Sequence, residues 1–376
     1  MKTQAILLTV ALVAAGAMTV LAQQGQPADP RRTPGVQAGQ DPNRAAFIAA
    51  NCKVPPPAPA PRGGGPAAAP GAAPAPGGAA RAGGAPPAPA PVEYTVTAIP
   101  GVIAAGERWK LLWEDKGNNA DGPVGMDDGS LWVAQNDKST IVKIDKDGKA
   151  SVIYTDTFTG GTIAANNKGQ IFVGERALNP AIWTLAPQRQ LFTNTYKGEP
   201  FDCLGTGVLN DMSADSKGGV YFTMGGVYYA NPQGVVSGRF GTVGGNGIIL
   251  SPDERTLYVT GRLAGGTPPA NAPMNGGLVA FDVQPDGSLT NERQFAWAGG
   301  DGTAVDAAGR IYSTGNGGVH VISPAGELLG FIPGPRGLIS VAFGGPDKKT
   351  LFGVAIRDVQ VFSIPMVAQG FRGRPK

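Results

Sequence analysis

An aliphatic residue followed by an aromatic one recurs six times along the C-terminal three-quarters of the chain. Short β-forming runs at such intervals, separated by Gly-rich turns and without convincing helices between them, indicate sheets arranged around an axis. About forty residues per unit is the size of a four-stranded propeller blade. The sequence therefore predicts an all-β fold, a six-bladed β-propeller. The copies, spaced by 40, 49, 37, 54 and 40 residues, are Leu131-Trp132, Ile171-Phe172, Val220-Tyr221, Leu257-Tyr258, Ile311-Tyr312 and Leu351-Phe352.

A second alternating run follows each pair and predicts another strand in every blade. One strand-like stretch, residues 108–113, precedes the first repeat, whereas the sixth repeat is nearly complete at Ile364. We expect Trp109–Trp113 to complete the last blade, because a strand there covers its open edge and closes the ring. The second runs are Ile141–Ile144, Ile182–Leu185, Val227–Tyr229, Leu278–Val283, Val319–Ile322 and Val359–Phe362.

The residues before the repeats have a different composition. Residues 1–22 read as a signal peptide, with Lys2 at a positive start and an apolar core ending before a small-residue cleavage site at Ala22. Residues 23–53 form a polar arm with a short helix predicted around Pro42–Ala50, and residues 54–91 are almost entirely Pro, Ala and Gly. Such a segment has little to bury and is predicted to be a disordered spacer.

The expected propeller therefore covers residues 92–369, followed by a basic tail over residues 370–376. The signal peptide predicts a periplasmic or secreted protein, and no apolar run long enough for a membrane span follows it. The formal charge is +3, and the Lys and Arg residues are scattered. Without a basic stripe, nucleic acid is not an expected partner.

Cys52 and Cys203 are the two cysteines of the chain. In an oxidising compartment they would be able to pair and tether the N-terminal arm to a loop of the folded domain. The sequence leaves two unpaired thiols as an equal alternative, because it does not contain the geometry that a disulfide requires. Two cysteines so far apart do not form a zinc site.

The first residues of the six innermost strands are candidates for a shared site, because these strands begin near the axis of a propeller. Four of the six carry a carboxylate or amide oxygen, which suits a hard cation such as Ca²⁺. The alternative is that Asp-Gly and Asn-Gly are only turn dipeptides, but their common register favours a metal. Counting back eleven or twelve residues from each aromatic gives Asp121, Gly161, Asn210, Asn246, Asp301 and Ser340, called here the ring positions.

From about Asp121 to Ile364 the chain resembles the SMP-30/gluconolactonase/LRE-like family of six-bladed propellers. That resemblance implies one divalent cation held by a Glu, two Asn and an Asp, and Asn210, Asn246 and Asp301 match the last three. Asp121 stands where the family usually has Glu, and its side chain is one methylene shorter. The most specific stretches are Leu209–Met212 with Gly219–Thr223, Asn246-Gly247 with Ser251–Val259, Asp301–Asp306 with Gly309–Tyr312, and Ala342–Asp347.

The resemblance also implies a small-molecule substrate, namely a lactone or a related sugar-derived ester. A divalent cation, with Ca²⁺ favoured and Zn²⁺, Mn²⁺ or Mg²⁺ as alternatives, would polarise the ester carbonyl. Asp301 would be the general base for the attacking water. The alternative function is a non-catalytic propeller that binds a ligand or protein, with the cation as a structural plug, since propellers host both roles.

One departure from the family concerns how substrate is held. Family lactonases often have an Arg-x-Asn motif in the second blade, where this chain has Thr159-Gly160-Gly161. Glu175 and Arg176 follow that blade's inner strand and are the candidate substrate-binding residues, with a solvated loop ion pair as the alternative. The single histidine, His320, lies in an alternating run and reads as an ordinary strand residue, and no Gly-x-Ser-x-Gly motif accompanies it.

Overall fold

The structure is a computed structural model that describes residues 41–54, 56, 94–116, 119–205, 207–270, 272–273, 276–356, 358–374 and 376. The predicted signal peptide and nearly all of the predicted Pro/Ala/Gly spacer lie outside these residues. No helix in the described part of the chain is long and apolar enough to cross a membrane.

Six four-stranded antiparallel sheets form the blades of a β-propeller, as the repeat predicts. Blades 1 and 2 contain β2 (Asp121–Gly125), β3 (Leu131–Gln135), β4 (Thr140–Ile144), β5 (Ala150–Tyr154), and β6 (Thr162–Ala165), β7 (Ile171–Glu175), β8 (Ala181–Ala186), β9 (Gln190–Thr193). Blades 3 and 4 contain β12 (Met212–Ala214), β13 (Val220–Thr223), β14 (Val227–Ala230), β15 (Val236–Phe240), and β16 (Ile248–Leu250), β17 (Thr256–Thr260), β18 (Leu278–Val283), β19 (Leu289–Ala296).

Blade 5 contains β20 (Thr303–Val305), β21 (Ile311–Gly315), β22 (Gly318–Ile322) and β23 (Leu328–Pro333). Blade 6 is formed from both ends of the propeller, by β24 (Leu338–Gly344), β25 (Thr350–Ala355), β26 (Val359–Pro365) and β1 (Lys110–Asp115). A small hairpin, β10 (Thr195–Tyr196) and β11 (Glu199–Pro200), follows blade 2 and leads into a 3₁₀ turn at Phe201–Leu204. A second 3₁₀ turn, Asn136–Lys138, joins β3 to β4.

The aliphatic–aromatic pairs lie in the second strand of every blade, and the alternating runs lie in the third strand. Each buried apolar cluster is shared by two neighbouring blades, for example Tyr221 and Val227 of blade 3 with Leu250 and Leu257 of blade 4. The inner strands β6, β12, β16 and β20 are buried at every residue, whereas no residue of the outer strands β5 and β15 is buried. The hydrophobic core therefore lies between the blades, where apolar burial stabilises the ring.

Ring closure occurs through β1, which pairs antiparallel with β26 and puts Lys110 opposite Ser363 and Glu114 opposite Gln360. The prediction that Trp109–Trp113 completes the last blade is confirmed, with the strand set one to two residues later. Closure covers the hydrogen-bonding edge of β26, which would otherwise be an unpaired edge.

The N-terminal arm is attached beside the second and third blades. Its helix, α1 (Arg44–Asn51), confirms the predicted short helix. Cys52 and Cys203 form a disulfide, so of the two alternatives left open by the sequence the structure contains the paired one. An ion pair of 2.8 Å between Arg44 Nε and Asp202 Oδ1 adds a second attachment.

Described residues of the predicted basic tail pack against the propeller, with Gly370 and Arg374 at the end opposite the ring positions. Gly370 forms a β-bridge with Asp306. Arg374 is buried, lies 2.8 Å from the carboxylate of Glu254 and donates to the carbonyl oxygen of Ser251 at 2.6 Å. The ammonium of Lys376 contacts the carboxylate of Asp211, which is the residue after one of the ring positions.

The disulfide is expected to stabilise the fold because it links residues separated by 151 positions and so restricts the unfolded chain. We predict that Cys52→Ser with Cys203→Ser lowers the free energy of unfolding by about 2–4 kcal/mol. Urea denaturation followed by tryptophan fluorescence measures this difference. Reduced wild type should unfold at the midpoint of the double variant, and identical midpoints for oxidised and reduced wild type would contradict the prediction.

Candidate active site

The ring positions lie at one end of the innermost strands. Asp121 begins β2, Gly161 immediately precedes β6, and Ser340 is the third residue of β24. Asn210, Asn246 and Asp301 each come two residues before their strand. The end of the axis where these residues lie is called the mouth.

Glycines after three of the ring positions allow neighbouring blades to approach closely here. A Cβ atom on Gly122 would lie 2.5 Å from Cα of Thr162 in the next blade. A Cβ on Gly247 would lie 2.2 Å from the carbonyl oxygen of Asp301, and one on Gly302 would lie 2.8 Å from Cα of Ser340. These Asp-Gly and Asn-Gly dipeptides are therefore more than turn signals, because a side chain at any of these three glycines would push the blades apart.

Side-chain contacts connect the predicted metal ligands. Ser340 Oγ donates a hydrogen bond to Asp121 Oδ1 at 2.5 Å. Arg176 Nη2 lies 3.5 Å from Asp121 Oδ2 and 3.4 Å from Asn210 Oδ1. The side chains of Asn246 and Asp301 are hydrogen-bonded to each other, and the Asp301 carboxylate interacts electrostatically with that of Asp121. The structure thus brings Asp121, Asn210, Asn246 and Asp301 together at the mouth.

The carboxyl group of Asp301 has a pKa raised to about 7. Burial is the largest cause, followed by repulsion from the carboxylates of Asp121 and Asp211, while Arg176 and the hydrogen bond from Asn246 act in the opposite direction. A buried carboxylate near two others is costly when ionised, and a nearby cation relieves that cost.

The donor set fits a hard divalent cation, because it consists only of carboxylate and amide oxygens. Within the described residues, no group of three or more His, Cys, Asp or Glu side chains is arranged to hold a metal ion. A cation at the mouth would therefore require the amide oxygens of Asn210 and Asn246 together with the carboxylates of Asp121 and Asp301.

Arg176 lies among the ring positions and is buried. Its Nε donates to the carbonyl oxygen of Leu209 at 2.8 Å, and its Nη2 donates to the carbonyl oxygens of Asn210 at 2.5 Å and Gly161 at 3.1 Å. These bonds fix the guanidinium beside Asp121. The predicted substrate-binding position of Arg176 is therefore next to the predicted ligands, and a solvated loop ion pair does not describe it.

Glu175 is placed differently from its neighbour. It is completely buried at the end of β7, and its Oε1 lies 3.4 Å from Arg189 Nη2. This position gives Glu175 no exposed surface with which to accept substrate hydroxyls. Arg176 directly follows the last residue of β7, and of the pair only its side chain contacts the ring positions.

His320 lies in β22, is buried and packs against Phe331 with ring centroids 4.8 Å apart. Burial lowers the pKa of its imidazole. It is a strand residue of blade 5, as the sequence predicts.

Sequence reasoning assigned no role to Asp211, whose carboxylate accepts hydrogen bonds from Thr162 Oγ1 and the amide of Met212 and also contacts Lys376. The register identified Ser340 as a ring position but gave no reason to expect its bond to Asp121. The Asn210-Asp211 dipeptide was a usable signal for Asp211, whereas nothing in the sequence connects residue 376 to residue 211.

The family model for the SMP-30/gluconolactonase/LRE-like region matches residues 150–357, more than half of the chain. Among curated proteins, the lactonase drp35 of Staphylococcus aureus is 29% identical over 226 residues, which cover 54% of this chain and 59% of that protein. The gluconolactonase of Zymomonas mobilis is 28% identical over 218 residues, covering 49% and 57%. The chain thus spans less than two thirds of the length of these relatives.

Solved structures share the fold. A gluconolactonase from Xanthomonas campestris superimposes with a TM-score of 0.61 at 22% identity, covering 74% of this chain and 96% of that one. Regucalcin from Agrobacterium tumefaciens, described as a calcium-binding protein, gives a TM-score of 0.54 at 18% identity, with 70% and 96% covered. At these identities the likeness concerns the fold alone.

The raised pKa of Asp301 predicts a pH dependence of stability in the metal-free protein. The folded state keeps the Asp301 proton to about pH 7, whereas the unfolded chain releases it near 4. Stability is therefore lost as pH rises between these values, by up to about 1.4 kcal/mol per pH unit. Urea denaturation in EDTA should show that the free energy of unfolding falls more steeply with rising pH for wild type than for Asp301→Asn. Parallel plots of unfolding free energy against pH for the two proteins would contradict the prediction.

Proposed function

Because the chain belongs to the SMP-30/gluconolactonase/LRE-like family, we propose that it is a metal-dependent hydrolase that opens a lactone or a related small ester. The observation that carries this proposal is the convergence of four oxygen-bearing side chains from four different blades, one of which is the buried carboxyl group of Asp301. The lactonase and gluconolactonase relatives support the reaction class.

Asp121, Asn210, Asn246 and Asp301 would hold one divalent cation, and Ca²⁺ is favoured. Hard oxygen donors prefer Ca²⁺, Mg²⁺ or Mn²⁺ to softer metals, and a structural neighbour is described as calcium-binding. When bound, the cation would supply positive charge that polarises the ester carbonyl.

Asp301 is the proposed general base. As a carboxylate it takes a proton from water while the water oxygen forms a bond to the carbonyl carbon. When the bond between that carbon and the ring oxygen breaks, the same proton passes to the departing alkoxide. Lactone and water are thereby converted into one hydroxy acid, and Asp301 returns to its ionised form. A bound cation would keep Asp301 ionised at neutral pH, which is the form that accepts the proton.

Arg176 is the proposed substrate-orienting residue. Its guanidinium is fixed by three backbone carbonyl oxygens and therefore loses little freedom when substrate binds. It lies 3.5 Å from Asp121 and so adjoins the place where the carbonyl would be polarised. A carbonyl or carboxylate oxygen of the substrate is the partner that a guanidinium selects.

We also propose that the protein acts in the periplasm or outside the cell. The disulfide between Cys52 and Cys203 supports this proposal, because structural disulfides persist in oxidising compartments. The reading of residues 1–22 as a signal peptide points in the same direction.

A second candidate function is a non-catalytic propeller that binds a ligand or protein with a structural cation. The observation that favours it is the sequence Thr159-Gly160-Gly161, which lacks the side chains of the family's Arg-x-Asn motif. Tight cation binding without turnover on any lactone would identify this function.

Hydrolysis of a panel of sugar and aliphatic lactones at pH 7.5 tests the proposal. We predict that EDTA abolishes turnover, that Ca²⁺ restores it, and that Asp301→Asn lowers kcat/KM by about 10²–10⁴-fold because the general base is lost. Asp286→Asn removes one exposed carboxylate from a turn in blade 4 and is the matched control, with unchanged rates expected. Turnover that survives both EDTA and Asp301→Asn would overturn the mechanism.

A further inference from the structure

Gly161 is the only ring position without a side chain, and the structure explains why. A Cβ atom at Gly161 would lie 2.0 Å from Cζ of Arg176 and 2.1 Å from its Nη1. The backbone of Gly161 is not among the positive-φ residues, so its conformation would accept any amino acid. Space alone requires glycine here, and the guanidinium of Arg176 fills that space.

Arg176 thus supplies from the end of β7 the side chain that the second blade lacks at its ring position. Nε and Nη2 make its hydrogen bonds to Leu209, Gly161 and Asn210. Nη1 donates no hydrogen bond to any residue in the described part of the chain. The side chain is only 9% exposed, so this nitrogen is a nearly buried donor beside Gly161, one of the ring positions.

The charge at the mouth favours an anion. Asp121 and Asp301 contribute two negative charges when ionised, and Arg176 contributes one positive charge. A bound divalent cation would leave these groups at the mouth with one net positive charge. The remaining carboxylate nearby, Asp211, is already paired with Lys376. A neutral sugar gains nothing from this excess charge, whereas an anionic one gains a charge-assisted hydrogen bond.

We infer that the substrate is a lactone that carries a carboxylate and that Nη1 of Arg176 binds this group, an inference that rests on the proposed hydrolase function. Nε and Nη2 already donate to backbone carbonyl oxygens, so the guanidinium has only Nη1 left to donate to a ligand. A single donor of this kind suits one carboxylate group. Gly161 and Arg176 together are therefore the specificity determinant of the site.

Two pairs of probes test the inference, each differing only by a carboxylate in place of a hydroxymethyl group. The hydrolysable pair is a glucarolactone and gluconolactone, compared through kcat and KM separately. The stable pair is methyl glucuronide and methyl glucoside, compared by calorimetric titration with and without Ca²⁺. Wild type should prefer the carboxylate member of each pair by about tenfold or more, which is the effect of one charged hydrogen bond. The preference should be seen as a lower KM for the hydrolysable pair and a lower Kd for the stable pair.

Three variants separate charge from position. Arg176→Gln should abolish the preference, and Arg176→Lys should keep part of it. Gly161→Ala leaves the charge in place but displaces the guanidinium, and it should also abolish the preference. Arg293→Gln, which removes one partly exposed positive charge from blade 4, is the matched control and should keep the preference.

The outcomes distinguish this inference from the proposed function. Equal binding and turnover of both members of each pair by wild type would overturn the inference and leave the hydrolase intact. A preference that survives both Arg176→Gln and Gly161→Ala would overturn the assignment to Arg176. If no lactone is hydrolysed while glucuronide binding depends on Arg176, the hydrolase proposal fails and the carboxylate site stands.

Discussion

The close approach of the inner strands near the axis is the constraint on which the site depends. Gly122, Gly247 and Gly302 have the backbone of the next blade where a side chain would otherwise lie. These contacts fix the distance between consecutive ring positions, because the blades cannot slide without losing the packed clusters between them. The mouth is therefore a consequence of blade packing, and its predicted metal ligands lie within two residues of the packed inner strands.

This packing creates an electrostatic problem that the remaining features of the site address. Asp121 and Asp301 are forced together in a partly desolvated place, with Asp211 beneath them. Ser340, Asn246 and Arg176 donate hydrogen bonds or positive charge to these carboxylates, and Lys376 reaches Asp211 from the opposite end of the propeller. A divalent cation would further offset the negative charge of these carboxylates. The packing of the blades thus creates the negative site at which the proposed cation would bind.

The periodic features of this fold could be predicted from the sequence because they repeat. The aliphatic–aromatic pairs give six second strands, and counting back from them finds all six ring positions, including Gly161. Closure by Trp109–Trp113 could be predicted because one strand-like stretch precedes the first repeat and the sixth repeat lacks its outer strand. Features that occur only once could not be found by counting along the repeat, because they depend on three-dimensional packing. They are the burial of Glu175, the position of Arg176 against Gly161, and the contact between residues 376 and 211. The Cys52–Cys203 pair was an open alternative for the same reason.

Anomalous diffraction from crystals grown with Mn²⁺, an oxygen-seeking substitute for Ca²⁺, tests the central claim most directly. The account predicts one strong peak on the axis at the mouth, within about 2.6 Å of oxygen atoms from Asn210, Asn246 and Asp301. Asp121 should coordinate directly or through one water. A mouth without an anomalous peak at saturating Mn²⁺, or a peak held by other residues, would contradict it.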